Sequence, residues 1–405
     1  MNAPNGSGRS FTATYLDTPD RRLARAGIPL RRRIEKGKSI WEARIGETTV
    51  SAPGGPAKPP PELQRVLAAL LRGEDVVQVA RLRRGKNDVV LLDGQRVLAS
   101  YADLDAALEV ALDAPREEAA PAKDAPAVEH LRAYLRAQLE EIERHDPAVR
   151  VGSDPEDVHK LRVAVRRSRA ALREARTLLG DEQGRTLRDE LKWLGGRLGP
   201  ARDLDVLIAH LRREVVELDG PDAIPAGKIV MQLEAEREVA RREVLEALES
   251  ERYANVLALL GQVVDAPPVA TSDISLDRLT RREFKKLKRQ IEALGLTAPN
   301  DALHRARIRA KRLRYATELS AQLLGNKSDD VISAAKTFQD VVGAHQDAVV
   351  AEDYIRNAVR RARGVGSGVA AGRLIERERA RRAEARAELP DAWKRLERRA
   401  KRLWG

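Results

Sequence analysis

The chain has no cysteine among its 405 residues, which excludes disulfide staples and thiolate metal sites at the outset. Aromatic residues are scarce, at 3%, so few rings are present on which successive nucleic-acid bases stack. No stretch approaches the roughly 20 apolar residues of a membrane-spanning helix. The opening "MNAPNGSGRS" reads as a polar tail without a signal-peptide core. A soluble, cytoplasmic protein with no membrane partner is expected. The six histidines (130, 145, 159, 210, 304 and 345) include no His-x-x-x-His pair, and neither a metal nor a cofactor is expected.

Alanine, leucine, arginine and glutamate are plentiful, the composition of long helices. The formal net charge of +12 is concentrated in two places. Residues 159–173 carry Lys160, Arg162, Arg166, Arg167, Arg169 and Arg173 with no acid; residues 304–314 carry Arg305, Arg307, Arg309, Lys311, Arg312 and Arg314, again with none. These windows alone account for the whole excess, and such a balance points to a polyanionic partner.

Three regions separate by composition. In residues 1–112, short Val/Ile/Leu-rich runs ("TYLDTPD", "GIPLRRRI", "SIWEARIG", "DVVQVARLRR", "NDVVLLDG", "QRVLASYADL") alternate with turn residues, which predicts a small α+β domain. The stretch "GETTVSAPGGPAKPPPEL" reads as a loop leading into a short helix near Leu63–Arg72. Residues 113–127, "DAPREEAAPAKDAPA", have linker composition. From 128 to 405 the period is helical throughout: Leu131, Leu135, Leu139 and Ile142 share one face. Ser153 or Asp154 followed by Pro155 is a helix start, and Gly180 a helix end. "DEQGRTLRDELKWLGGRLG" and the proline-opened "PARDLDVLIAHLRREVVEL" predict two further helices.

A shift of 145 residues lays His159 on His304, Arg162 on Arg307, Arg166 on Lys311, Arg167 on Arg312 and Arg169 on Arg314, and Leu178-Leu179-Gly180 on Leu323-Leu324-Gly325. One gap later, Gly199 falls on Gly343 and Asp203 on Asp347. The helical region is thus mainly α and duplicated. Repeat one (128–270) and repeat two (271–405) are two pseudo-symmetric bundles of about four helices plus a tail.

On a helical wheel with His159 at zero, Arg162, Arg166, Arg169 and Arg173 fall within roughly 280° to 340°, one stripe with the histidine and beside the apolar seam. The second copy repeats the stripe through His304, Arg307, Lys311 and Arg314, with Glu318 in place of the last member. Like charges at this spacing repel. Acids on neighbouring helices would explain one such stripe as a solvated face; a paired, acid-free repetition favours a ligand. Guanidinium forks, lysine and imidazole donors suit a row of phosphates. Sequence reading of DNA is disfavoured because no helix-turn-helix, zinc or zipper pattern appears, although non-specific nucleic-acid binding stays a rival. His210 reads as a core histidine satisfied by backbone, His130 and His145 as surface residues.

"VHKLRVAVRRSRAAL", "LHRARIRAKRLRYA", "LGPARDLDVL" and "FQDVVGAHQDA" resemble the CHAD family, the conserved-histidine α-helical domains, over about residues 128–405. The resemblance implies an all-helical pair of bundles that binds inorganic polyphosphate. It places the ligand on His159, Arg162, Arg166, Arg169, Arg173, Arg202, His304, Arg307, Lys311 and Arg314, with the protein on cytoplasmic polyphosphate granules. Gln346 is the counterpart of Arg202; Asp203 and Asp347 are expected to cap a helix or hold an arginine, and "RREFKKLKR" (281–289) to extend the surface.

"YLDTPDRRLARAGIPLRRR" and "SIWEARIG" resemble the CYTH triphosphate-tunnel family in an incomplete, truncated form. Arg31, Arg33, Arg44, Arg81 and Arg83 stand where that family carries phosphate-facing cations. No Glu-x-Glu-x-Lys strand precedes Tyr15, and the region ends near Leu112, short of the acidic strands that hold the catalytic metal in that family. A binding protein, not an enzyme, is expected; metal-dependent triphosphate hydrolysis by this region is the rival activity.

Overall fold

The computed structural model describes residues 11–404 apart from 36, 85–87, 94–95, 102–103, 112–119, 153, 177, 179–180, 219, 267–274, 295–297 and 362–364. The expected tail, most of the 113–119 linker segment, Ser153 and Gly180 lie outside the described residues.

The N-terminal region forms β1 (Phe11–Asp17), α1 (Arg22–Arg25), β2 (Leu30–Glu35), β3 (Lys38–Ile45), β4 (Thr48–Pro53), α2 (Pro61–Val66), α3 (Ala68–Leu71), β5 (Val77–Arg84), β6 (Val89–Asp93), β7 (Arg96–Tyr101) and α4 (Leu104–Ala111). The strands make one antiparallel sheet in the order β4-β3-β2-β1-β5-β6-β7. Asp17 shapes the first crossover: its carboxylate accepts the backbone N–H groups of Thr18 at 2.7 Å and of Leu23 and Ala24 at 2.9 Å, holding α1 against the strand end. Thr48–Pro53 is a strand, not the loop its Gly/Pro-rich surroundings suggest. Gly46, at φ 57°, closes a two-residue hairpin with Ile45 opposite Thr48, and the β-branched Thr-Thr-Val run extends the ladder.

The helical region comprises α5 (Ala127–Val151), α6 (Pro155–Glu174), α7 (Asp181–Val216), α8 (Ala223–Glu249), α9 (Glu251–Asp265), α10 (Leu276–Glu292), α11 (Asn300–Leu319), α12 (Ala321–Leu324), α13 (Lys327–Arg361) and α14 (Val365–Trp404). The duplication is visible in the element order: α5 corresponds to α10, α6 to α11, α7 to α13, and α8 with α9 to α14. Asp154 starts α6 by accepting the Glu156 N–H at 2.8 Å. The two helices expected on either side of Pro200 are one helix, α7. Proline removes one backbone donor and its ring crowds the preceding residue; that residue is Gly199, and the carbonyl four residues back belongs to Gly196. The helix runs through the proline, as α5 runs through Pro147 and α14 through Pro390. In repeat two, Phe284, Leu287, Leu303, Leu313, Val331, Phe338 and Leu396 form the core shared by α10, α11, α13 and α14.

The chain divides into two compact units that do not follow composition. One gathers the sheet region with Leu139–Ala164 and Leu248–Leu257; the other holds Ala120–Gln138, Val165–Ala247 and Ala258–Gly405. In the first, Ala148 and Val151 of α5 pack against the core formed by Leu23, Leu30, Trp41, Leu63 and Leu67. Arg72 donates to the buried Glu143 carboxylate at 2.8 Å. Asp146, fully buried, accepts from Arg150 at 2.7 Å.

Candidate anion-binding surface

Three contacts define how the C-terminal half of α6 meets that of α11. The Arg166 guanidinium carbon lies 5.7 Å from the Tyr315 ring centroid, Arg167 is 3.0 Å from the Glu318 carboxylate, and the Arg314 guanidinium carbon lies 4.9 Å from the same ring centroid. Arg314 also donates to the Tyr315 hydroxyl at 3.2 Å and lies 3.4 Å from Glu318. Advancing along α6 from 167 to 173 means retreating along α11 from 318 to 312, since Arg173 is a charged neighbour of Arg312. The two helices therefore cross antiparallel, near Ala170 and Tyr315. His159 and His304 each lie 11 residues upstream of the crossing on their own helix, about 16 Å of helix at 1.5 Å per residue.

At the crossing, charge is managed unequally. Burial alone would lower the Arg167 guanidinium, but the Glu318 carboxylate overrides it and holds Arg167 above its ordinary value. Burial and the Glu318 charge together push the Tyr134 hydroxyl well up, and that hydroxyl donates to Glu318 at 3.2 Å. Arg169 and Arg312 behave oppositely: burial, then the Arg173 charge, hold both below the ordinary guanidinium value.

The other expected residues occupy related positions. Arg307 lies over Gly343 of α13, its guanidinium 3.7 Å from where a Cβ would stand, and 3.8 Å from Asp347. Asp347 is thus an arginine holder; it and Asp203 lie inside α13 and α7, so neither caps a helix. Arg202 is half-buried on α7, and Lys311 half-buried on α11. His304 is exposed, whereas His159 is half-buried, 4.0 Å from Glu156. Of the 281–289 cluster, Lys286 pairs with Glu283, and Lys288 is 3.0 Å from Glu397. Arg309 and Arg312, beside Arg173, were not singled out as ligands from the sequence; the signal was their place in the acid-free window.

The remaining histidines differ from expectation. His130 and His145 are buried, not superficial: His130 meets Gln322 at 3.2 Å, and His145 meets Asp157 at 2.8 Å, tying α5 to the first turn of α6. His210 is a core residue, but its partner is the Glu378 carboxylate of α14 and not backbone. His345 is buried beside Arg386; burial, then the Arg386 and Arg382 charges, lowers it to about 4.

In the sheet, the five expected arginines fall on two faces. Arg31 and Arg33 share one face and take the two oxygens of Glu42 at 2.7 and 2.9 Å; Arg44, two residues along β3, lies on that face. Arg81 and Arg83 are on the opposite face, because Thr14 stands opposite both Arg32 and Arg81 in the ladder, and Thr12 opposite Arg83. With Arg32, Ile34, Gln78 and the two threonines they line an open cavity of about 520 Å³ with no carboxylate among its lining residues.

Among the described residues no group of three His, Asp or Glu side chains is arranged to hold a metal ion, and no helix is long and apolar enough to cross a membrane. The CHAD domain model matches residues 133–356. Two uncharacterized proteins of Mycobacterium tuberculosis, from strains CDC 1551 / Oshkosh and ATCC 25618 / H37Rv, are each 27% identical over 96% of this chain and 90% of their own. Among solved structures, the CHAD domain from the plant Ricinus communis superposes with a TM-score of 0.57 at 27% identity, covering 70% of this chain and 96% of that one. PptA from Streptomyces chartreusis does so with a TM-score of 0.57 at 23% identity, covering 67% and 100%, which establishes the shared fold.

Proposed function

Because the chain belongs to the CHAD domain family, we propose that it binds inorganic polyphosphate along the basic stripes of α6 and α11, and that it acts by binding and not by catalysis. The observation that carries this reading is the antiparallel crossing at Tyr315. It lets the C-terminal part of the α6 stripe, Arg166, Arg169 and Arg173, continue into that of α11 through Arg314, Lys311, Arg307 and His304. A linear polymer with one charge per repeat suits such a track, because guanidinium forks and imidazole donors engage phosphate oxygens without reading anything else. Nucleic acid suits it less. Tyr315, the aromatic on these helices, is buried with two guanidiniums near its ring, so it is not presented to a base. Through this track the protein is directed to cytoplasmic polyphosphate granules.

Triphosphate hydrolysis by the sheet domain is the rival reading. Against it, both oxygens of Glu42 are already engaged by Arg31 and Arg33, which neutralises a carboxylate on the face where the family places its ligand.

The test is a titration of the intact protein with long-chain polyphosphate at about physiological salt, against duplex DNA and single-stranded RNA as competitors. An Arg166→Gln/Lys311→Gln variant, one position from each repeat, runs in parallel. Binding that survives competition and weakens about a hundredfold or more in the variant supports the track, as two lost charge-assisted contacts of about 1.5–3 kcal/mol each require. Binding that follows total charge and ignores the variant refutes it. Phosphate release from tripolyphosphate with Mg²⁺ or Mn²⁺ would reinstate the hydrolytic reading.

A further inference from the structure

The 145-residue shift that relates the repeats carries Arg167 onto Arg312, Arg314 onto Arg169, and Glu318 onto Arg173. These six residues form two equivalent triads on the two sides of the crossing. In one, the Glu318 carboxylate lies 3.0 Å from Arg167 and 3.4 Å from Arg314 and accepts from the Tyr134 hydroxyl. In the other, the central position is Arg173, the charged neighbour of both Arg169 and Arg312. Tyr134 has Leu279 as its counterpart, so no hydroxyl is supplied there. In the first triad Glu318 and Arg314 are only 12% and 14% exposed and the carboxylate closes the centre, although Arg167 reaches 35%; in the second the central Arg173 is 32% exposed and Arg169 lies exposed beside it.

Acids do approach the open triad. Glu174 takes Arg173 at 2.7 Å, Asp189 faces Arg169, and Glu283, 3.8 Å from Arg309, faces Arg312. Glu283 is shared with Lys286 and Arg309, so it does not neutralise Arg312 alone. Three guanidiniums against one carboxylate in contact leave a charge of two where the closed triad keeps one.

We propose that the polyanion is anchored on one side of the crossing only, by Arg169, Arg173 and Arg312 with Arg309 beside them, while Glu318 serves on the other side as a built-in counter-anion that fills the equivalent place. The proposal rests on the polyphosphate reading above and deepens it: the track has a fixed point and a direction. Guanidiniums crowded without a sufficient counter-charge gain most from a phosphate group, whereas Arg167 and Arg314 already hold a carboxylate and gain little.

The experiment exchanges the central residues. Arg173→Glu places a carboxylate where Glu318 stands in the other triad; because it also stands beside Glu174, Arg173→Gln, which adds no negative charge, is titrated in parallel and should weaken binding as well. Calorimetric titration with tripolyphosphate is expected to give one site for the wild type, about tenfold or more weaker binding for Arg173→Glu, and a second site for Glu318→Arg. Without ligand, Arg173→Glu is expected to melt at a higher temperature than the wild type. Should Glu318→Arg fail to fold, the Arg173→Glu titration and melting curve decide alone. Wild-type protein that binds neither tripolyphosphate nor long-chain polyphosphate overturns the functional reading itself. Wild-type binding that Arg173→Glu leaves intact, or an Arg173→Glu protein that melts lower, overturns only the one-sided anchor.

Discussion

Tyr315 is the part of the crossing whose removal can be reasoned through. Its ring is buried, with two guanidinium carbons 5.7 and 4.9 Å from its centroid, and its hydroxyl accepts from Arg314 at 3.2 Å. Two separable roles follow. The hydroxyl supplies one hydrogen bond from a charged donor, of moderate length; the ring supplies volume and a negative face to two cations. Tyr315→Phe keeps the volume and the face, so it should cost about 1–2 kcal/mol, the worth of one such bond. Tyr315→Ala opens a cavity between α6 and α11 and removes both cation–π contacts; large aromatic truncations cost about 3–5 kcal/mol, and each exposed cation–π contact adds about 0.5–1 kcal/mol. The loss of helical circular dichroism in urea measures both. Polyphosphate affinity should follow the ring: near wild type in the phenylalanine variant, and lowered in the alanine variant, where Arg166 and Arg314 lose the surface that aims them. Equal costs for the two variants would sink this reasoning, because the hydroxyl and not the ring would then hold the crossing.

Three further outcomes can be checked. Arg72→Ala should strand the buried Glu143 and destabilise the protein by about 3 kcal/mol at neutral pH. Burial, outweighing the Arg72 charge, already raises the Glu143 carboxyl above its ordinary value; the folded protein therefore binds the extra proton, and the deficit should shrink as pH is lowered, which urea midpoints between pH 7 and 5 would register. His345, lowered to about 4, protonates first in the unfolded chain, so stability should fall as pH drops from about 6.5 toward 4 and level off below; a His345→Gln protein that keeps this slope would assign it elsewhere. Pro200→Ala restores a donor toward the Gly196 carbonyl in the middle of α7, and thermal melting should show a gain of up to about 3 kcal/mol, the usual penalty of proline inside a helix.

Much of the architecture was legible because helical period and internal repetition are properties of sequence spacing. The shift that pairs His159 with His304 also pairs α7 with α13, two helices of 36 and 35 residues, without any knowledge of contacts. Three things were not legible, each for a local reason. Pro200 reads as a helix start because proline is favoured at the first helical position, whereas α7 runs through it as α5 and α14 run through Pro147 and Pro390. Thr48–Pro53 reads as loop because the glycines and prolines beyond it dominate the window, whereas the hairpin geometry at Gly46 decides the pairing. His130 and His145 read as surface residues because their partners, Gln322 and Asp157, lie on other helices. Burial of a lone polar residue is set by tertiary neighbours, and a one-dimensional pattern carries no sign of it.

The basic stripes illustrate the same limit in a way that bears on function. In the sequence, Glu318 looked like a lapse in the second stripe, the one acid where the first copy has Arg173. Folded, it receives Arg167 from the other repeat as well as Arg314 and Tyr134, so it is the residue that neutralises the crossing on one side. A duplicated helix would by itself bring two like-charged stripes together antiparallel, with six guanidiniums facing across the pseudo-symmetry axis. Substituting one central arginine by glutamate relieves that repulsion on one side and leaves it standing on the other. Arg173 holds the adjacent Glu174, at 2.7 Å, whereas Glu318 draws two arginines together. The charge left over on that side is the one the proposed polyanion would meet, because closely spaced phosphate oxygens accept from guanidinium donors.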